Sequence, residues 1–415
     1  MEKVYDLGII GSGPAGYTSA LLARGQKVVI FEEKDFGGTC LNRGCIPTKA
    51  ILHSAEIYNT LKSANNSGFH IENINYDWEK ILEIKNEKVL KLRKMLETSV
   101  KNSGAEIVYS RAQIIENGKI QDNEGNIYSC KKIISATGSA PKEIKGLEFD
   151  GDKILSSDDV LNLNRCPKSI LIVGSGAIGI EWGRILSSFD CEVTIVEMAE
   201  HLLPLADIEV SKRVERIFKS KGIKFYLSNS IKHLEKTDFG IKVELKTGES
   251  LTVEKILVAA GRQIVNLPET FDAKVIGDAS GEIQLAHYAT RQALYEICNI
   301  NFDKNLIPSV VYGVPEIAWA GKREQDLDIG SFKKINLPIS ALGKSQCDDA
   351  TDGFIKIIAV EDKIVGVHII SNEASSLLQQ VLIAVQNEIT IDKLKEICFP
   401  HPTYSEGIFE AIMRL

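Results

Sequence analysis

The stretch Val4-Tyr5-Asp6-Leu7-Gly8-Ile9-Ile10-Gly11-Ser12-Gly13-Pro14-Ala15-Gly16 decides how this chain is read. Val4 to Ile10 has the apolar run of a buried strand, and it passes directly into a G-x-G-x-x-G turn. A helix-compatible stretch follows to Arg24, and a second strand, Lys27 to Phe31, ends at Glu32. That order is one βαβ unit. Gly11 makes the tight turn, Gly13 lets the backbone approach a pyrophosphate, and Gly16 lets the helix pack on the strand. The helix N-terminus, with Pro14 and Ala15 in its first turn, faces the negative charge.

The pattern returns later in the chain. Ser169 to Val173 leads into Gly174-Ser175-Gly176-Ala177-Ile178-Gly179, a helix-like stretch runs to about Phe189, and Cys191 to Val196 ends at Glu197. Glu32 lies 21 positions after Gly11, and Glu197 lies 23 after Gly174. Both fit the acidic residue about 20 positions on that hydrogen-bonds a ribose diol. A single match would read as a structural glycine turn. Two matches, each after a strand and before a helix, imply two dinucleotides, commonly FAD plus NAD(P). Glu197 favours NAD, because its carboxylate would repel a 2′-phosphate and no Arg occupies the next four positions.

Outward from these units, Asp77 to Asn102 is polar and helix-compatible. Lys131 to Gly138 and Lys255 to Arg262 each read as a strand closing in a small-residue turn, and Pro141 to Gly151 reads as a linker. Lys274 to Asp278 is a further short strand and turn. From about Ile307 the pattern changes to strands such as Gly353 to Val360 and Lys363 to Ile370, followed by helices, as in an α+β domain. The fold class is therefore α/β, with two Rossmann-like dinucleotide-binding domains and a C-terminal α+β domain.

Composition narrows the functional classes. Charged residues are 25% and hydrophobic residues 44%, ordinary for a globular protein. A net charge of -7 argues against nucleic acid as partner. No apolar run approaches the roughly 20 residues of a membrane span, and Asp6 with no basic flank argues against a signal peptide, so a cytoplasmic location is expected. Eight cysteines are too few for a disulfide scaffold. Cys130, Cys166, Cys191, Cys298, Cys347 and Cys398 stand apart and are expected to be small, buried, reduced residues. Cys40 and Cys45 are close, in Gly37-Gly38-Thr39-Cys40-Leu41-Asn42-Arg43-Gly44-Cys45-Ile46-Pro47-Thr48-Lys49. The spacing can be bridged where a glycine turn enters a helix, whose N-terminus favours thiolate. Zinc would need two further ligands that nothing nearby supplies, so no metal is expected. Redox chemistry and a structural thiol pair both remain open from spacing alone. His401 lies between Pro400 and Pro402, with Glu406 five residues on to fix its tautomer. The default for any single His is a residue with no chemistry, and it applies to His53, His70, His201, His233, His287 and His368.

Together the GSGPAG turn, GGTCLNRGCIPTKA, SATGS, VGSGAIGIEWG, AAGR, IGD followed by LAH, IPSVVYGVPEIAWAGK and HPTYSEG resemble the class I pyridine nucleotide-disulfide oxidoreductases, nearest their dihydrolipoamide dehydrogenase branch. The likeness runs nearly end to end. Glutathione-type reductases usually carry Arg after the second nucleotide motif, and mercuric reductases usually end in paired cysteines; this chain does neither. The resemblance implies FAD and NAD as cofactors and a Cys40–Cys45 redox disulfide. Cys45 would lie against the flavin, Cys40 would exchange with substrate, and His401 with Glu406 would be the acid/base. It implies a homodimer in which that His comes from the partner subunit. Lys49 and Glu181 would sit beside the flavin. Gly38, Thr39, Thr137, Gly138, Gly277, Asp278, Leu285, Ala286 and His287 would surround FAD, and Gly261 would lie in the other cofactor-lined turn. The domains implied are 1–145 with 271–305 for FAD, 146–270 for NAD and 306–415 for dimerisation.

The implied activity is oxidation of dihydrolipoamide with NAD+, with a lipoyl domain or small disulfide as partner and possible docking to a 2-oxo acid dehydrogenase complex. The alternatives are a reductase of another small disulfide and a weakly active or structural subunit. Their warrant is a departure: residues 262–277 are much shorter than the pattern the resemblance implies. Phe399 also replaces a second His, and Ser376 replaces a common Glu.

Overall fold

The computed structural model describes residues 4–267 and 269–415. Met1 to Lys3, assigned with the first domain, and Pro268, inside the short 262–277 stretch, lie outside the described residues.

The expected first strand, Val4–Ile10, is central to a sheet of seven strands among the described residues. Its order is Glu106–Tyr109, Val28–Glu32, Val4–Ile10, Ile127–Ser135, Lys119–Asp122, Ala112–Glu116, with Lys274–Val275 also beside Ile127–Ser135. Val28–Glu32 is buried along its whole length, as expected for a parallel strand covered on both faces. Helices Pro14–Leu22 and Ala286–Cys298 pack on each other on this sheet. The polar segment forms helix Trp78–Asn102, capped where Asp77 Oδ1 accepts from Lys80 N at 3.0 Å.

The duplicated unit gives a second sheet, all parallel: Lys224–Tyr226, Glu192–Val196, Ser169–Val173, Lys255–Val258, Ile154–Leu155. A three-stranded antiparallel sheet, Ile231–Thr237, Gly240–Leu245 and Ser250–Val253, lies beside it. The C-terminal region is an antiparallel sheet, Ser309–Val311, Glu316–Gly321, Lys363–Ser371, Phe354–Val360, Lys333–Pro338, with helix Ala374–Gln386 on one face. The expected α+β switch near Ile307 is therefore present.

Backbone pairing and a buried ion cluster are among the contacts that hold these parts together. Strand Arg262–Ile264 pairs antiparallel with Ser139–Pro141, so the short return stretch still stitches the two nucleotide units. Lys356, fully buried, places Nζ 2.7 Å from Asp207 Oδ1, 2.6 Å from Glu324 Oε2 and 3.4 Å from Glu209 Oε2. A buried ammonium persists only when paired in this way. The three carboxylates, close enough to hold an ion, are thereby turned on a lysine instead.

The cysteine expectation needs correction. Cys298, Cys347 and Cys398 are exposed, because the first two end helices at the surface and the third lies in an irregular segment, and Cys166 is only half-buried. His368 is buried in strand Lys363–Ser371, with Nε2 2.9 Å from Lys322 O. Among the described residues no helix is long and apolar enough to cross a membrane.

Candidate active site

The two glycine turns are built alike. Gly11 and Gly174 have φ of +97° and +99°. A Cβ on Gly11 would come 2.3 Å from Ala136 O, and one on Gly16 would come 1.9 Å from Gly11 O. The equivalent contacts at Gly174 and Gly179 are 2.7 Å to Ala259 O and 2.1 Å to Gly174 O. The first and third glycines are thus required by the fold itself. The middle ones are not: a Cβ on Gly13 would meet nothing nearer than 4.0 Å, and one on Gly176 nothing within 4 Å. Backbone left bare where the protein does not fill the space fits a phosphate group lying against it.

The acidic residues are held the same way in both units. Ser12 N and Oγ donate to Glu32 Oε2 at 3.1 and 2.6 Å. Ser175 N and Oγ donate to Glu197 Oε2 at 2.7 and 2.8 Å, while Ala199 N donates to Oε1 at 2.8 Å. These serines, each inside its glycine motif, were not singled out from sequence.

Cys40 lies in helix Gly38–Arg43 and Cys45 begins helix Cys45–Ser63, with Gly44 between them. Each thiol is the largest single influence on the other's ionisation. Cys45 is brought down to about 7, first by Cys40, with Lys49 adding its charge against the opposing effect of burial. Cys40 is pushed up. The pair is therefore unequal, with the thiolate on Cys45 at the helix start. One turn on, Lys49 Nζ donates to Glu181 Oε1 and Oε2 at 2.9 and 2.8 Å. Tyr312 N donates to the same carboxylate at 3.0 Å, and Lys49 Nζ sits 4.6 Å from the Tyr312 ring centroid.

The three later turns converge through Ser139. Arg262 Nε donates to Ser139 Oγ at 2.7 Å, and Ser139 Oγ donates to Asp278 Oδ2 at 2.5 Å. Thr137 Oγ1 donates to Val265 O at 2.5 Å, and Val265 N donates to Gly138 O at 3.0 Å. Gly277 has φ +70°, and a Cβ there would lie 3.1 Å from Ala15 Cβ. His287 Nε2 is 2.7 Å from Pro308 O.

One cleft of about 1240 Å³ connects most of these groups. Gly11, Gly13, Glu32, Cys40, Cys45 and Lys49 line it, as do Glu181, Thr137, Gly138, Asp278 and the Leu285-Ala286-His287 start of helix Ala286–Cys298. Arg43, Asp158, Arg262 and Tyr312 line it too; the first, third and fourth lie inside the quoted motifs, but none was among the candidate site residues. Gly174, Gly176, Gly179, Glu197 and Gly261 lie outside it, on the second unit. His401 and Glu406 also lie outside it. His401 Nδ1 is 2.8 Å from Glu406 Oε1, the His side chain is 76% exposed, and Thr403 N donates to Glu406 Oε2 at 2.9 Å. The backbone bond from Thr403 and then the contact with His401 hold the Glu406 carboxyl below its usual range.

Two nucleotide turns, and a thiol pair in the cleft that the first of them lines, define an oxidoreductase of the dinucleotide-dependent kind. Residues 5–293 match the pyridine nucleotide-disulphide oxidoreductase family, and the chain belongs to it, with FAD and NAD as its cofactors. Residues 307–412 match the dimerisation domain of that family, which supports a homodimer. The dihydrolipoyl dehydrogenase of Bacillus subtilis is 33% identical over 100% of this chain and 98% of its own length. The mitochondrial dihydrolipoyl dehydrogenase of Pisum sativum is 32% identical over 98% and 91%. The Bacillus alignment runs over 472 residues, so that relative carries segments with no counterpart here. The solved structure of LpdA from Mycobacterium tuberculosis superposes with a TM-score of 0.90 at 22% identity, covering 99% of each chain. The HOCl-induced flavoprotein disulfide reductase of Escherichia coli, as its Cu(II) complex, gives 0.86 at 24% identity, covering 100% of each. Both establish the shared fold.

Proposed function

We propose that this chain oxidises dihydrolipoamide to lipoamide with NAD+, as a dihydrolipoyl dehydrogenase. The observation that carries the proposal is the unequal Cys40/Cys45 pair at the start of a helix, lining the same cleft as Gly13 and Glu32. The full-length likeness to relatives of that name favours this reading over another small disulfide or a structural role.

In this reading the FAD domain is 1–145 with 271–305, the NAD domain 146–270 and the dimerisation domain 306–415. Gly13, Pro14 and Ala15 hold the FAD pyrophosphate, Glu32 its ribose and Asp278 the chain leading to the ring. Gly176 and Glu197 do the same for NAD. Bound FAD supplies the two-electron relay between the dithiol and NAD+. In the oxidised state, with Cys40 and Cys45 joined as a disulfide, one substrate thiol, as thiolate, attacks Cys40, the Cys40–Cys45 bond breaks, and Cys45 leaves as a thiolate stabilised by Lys49 and the helix N-terminus. The second substrate thiol then attacks the mixed disulfide, releasing lipoamide and reduced Cys40. His401 of the partner subunit, oriented by Glu406 of that same subunit, takes the substrate proton. The exposed His401, outside its own chain's cleft, supports a site shared between subunits. Lipoyl domains of 2-oxo acid dehydrogenase complexes are the proposed partners. Replacement of Cys40 by Ser tests the reading: NADH-dependent lipoamide reduction should vanish while FAD stays bound. Retained lipoamide reduction would contradict it.

A further inference from the structure

Cys166 and Cys191, which stand apart in sequence, meet in space. Strand Glu192–Val196 runs parallel to Ser169–Val173 with Glu192 opposite Ser169, and Glu192 N donates to Lys168 O at 2.9 Å. This register brings Cys191, just before one strand, against the Cys166-Pro167-Lys168 approach to the other. Cys166 Sγ lies 3.8 Å from Phe189 O, two residues before Cys191, and Tyr76 OH donates to that same carbonyl at 3.3 Å. Both cysteines pack in one apolar cluster with Phe189 and Trp78. The Cys191 thiol is pushed up, first by its neighbour Cys166 and then by burial, in keeping with the proximity that the strand register and the Cys166–Phe189 contact establish. The pair is asymmetric: Cys191 is buried, whereas Cys166 is partly open to solvent.

We propose that Cys166 and Cys191 form a second dithiol, which low-molecular-weight disulfides oxidise to an intramolecular disulfide. Cys166, as thiolate, attacks one sulfur of oxidised glutathione. A mixed disulfide forms and one glutathione thiolate leaves. Cys191 loses its proton to solvent and attacks the Cys166 sulfur, releasing the second glutathione. Two electrons pass from the dithiol to glutathione, and the two protons released end on the two glutathione thiols. The closed loop contains strand Ser169–Val173, the Gly174–Gly179 turn and helix Ala177–Ser188, so the bond clips the base of the second nucleotide unit. Cross-linking a loop of that kind restrains the unfolded chain and slows loss of the unit.

The test uses full-length, FAD-loaded protein carrying Cys40→Ser and Cys45→Ser, so that the first pair cannot contribute, with wild-type protein alongside. Each is incubated without denaturant in oxidised glutathione, quenched with an alkylating reagent and mapped by peptide mass spectrometry. The expected result is a peptide pair joined through Cys166 and Cys191, loss of these two thiols from the alkylated pool, and full recovery with dithiothreitol. Cys191→Ser should instead trap glutathione on Cys166. The proposal is overturned if both residues stay alkylated under conditions that fully oxidise Cys40 and Cys45 in the wild type, or if the link forms only in denaturant.

Discussion

Lys49 Nζ contacts both carboxylate oxygens of Glu181, at 2.8 and 2.9 Å, across 132 residues of sequence. Lys49 lies one helical turn beyond Cys45, and Glu181 lies one turn into the helix that follows the second glycine motif. The two nucleotide units are thus joined at the point where the thiol pair opens into the cleft. Glu181 is 5% exposed and is paired with this lysine. Lys49→Met leaves a buried carboxylate whose one remaining donor among the described residues is Tyr312 N. We expect a loss of about 1–3 kcal/mol, read as a lower Tm in thermal unfolding, and a smaller loss for Lys49→Arg.

The thiol pair has its own pH signature. With Cys45 held at about 7, below the ordinary thiol value, its thiolate fraction rises as pH increases through 7. In the reduced protein, ultraviolet thiolate absorbance should titrate there. Cys45→Ser should remove that step. Lys49→Met should move it upward, because the lysine charge favours the thiolate.

His401 and Glu406 are 2.8 Å apart outside their own chain's cleft, with His401 exposed and Glu406 half-buried. His401→Gln should lower turnover with dihydrolipoamide by about 10²–10⁴-fold while NADH still reduces the flavin. Mixing inactive Cys45→Ser subunits with inactive His401→Gln subunits should restore roughly a quarter of wild-type activity, since a shared site is rebuilt in each mixed dimer. Assay of the unfolded and refolded mixture checks this.

The glycines separate fold from binding. Gly13→Ala should fold, with the circular dichroism of the parent, but purify with little FAD. Gly16→Ala should not fold, because its Cβ would fall 1.9 Å from Gly11 O. Gly176→Ala should keep FAD and raise the KM for NADH. At Glu197, fixed by Ser175 and Ala199, a 2′-phosphate meets a carboxylate. NADH should exceed NADPH in kcat/KM by about 10²-fold, and Glu197→Ala should narrow that ratio.

Much of this was legible from residues 4–32 and 169–197, because strand, glycine turn and terminal acid form a local pattern that one stretch of chain specifies. Cys40 and Cys45 stood out because they are five residues apart. What could not be read was long-range. Arg262, Ser139 and Asp278 come from three separate turns, and only the folded chain joins them. The short 262–277 stretch is the departure behind the alternative readings, yet Arg262–Ile264 still pairs with Ser139–Pro141, since backbone pairing needs only three residues on each side. Cys166 and Cys191 looked isolated because a parallel strand register leaves no trace in sequence spacing.

The central claim is that electrons pass between NADH and a disulfide through Cys40 and Cys45. Anaerobic NADH oxidation by the FAD-loaded protein, with lipoamide as acceptor, tests it most directly. The account predicts rapid oxidation that disappears in Cys40→Ser while the flavin is still reduced by NADH. Lipoamide-dependent oxidation that survives in Cys40→Ser, or a wild-type protein whose reduced flavin never passes electrons to lipoamide, would contradict it.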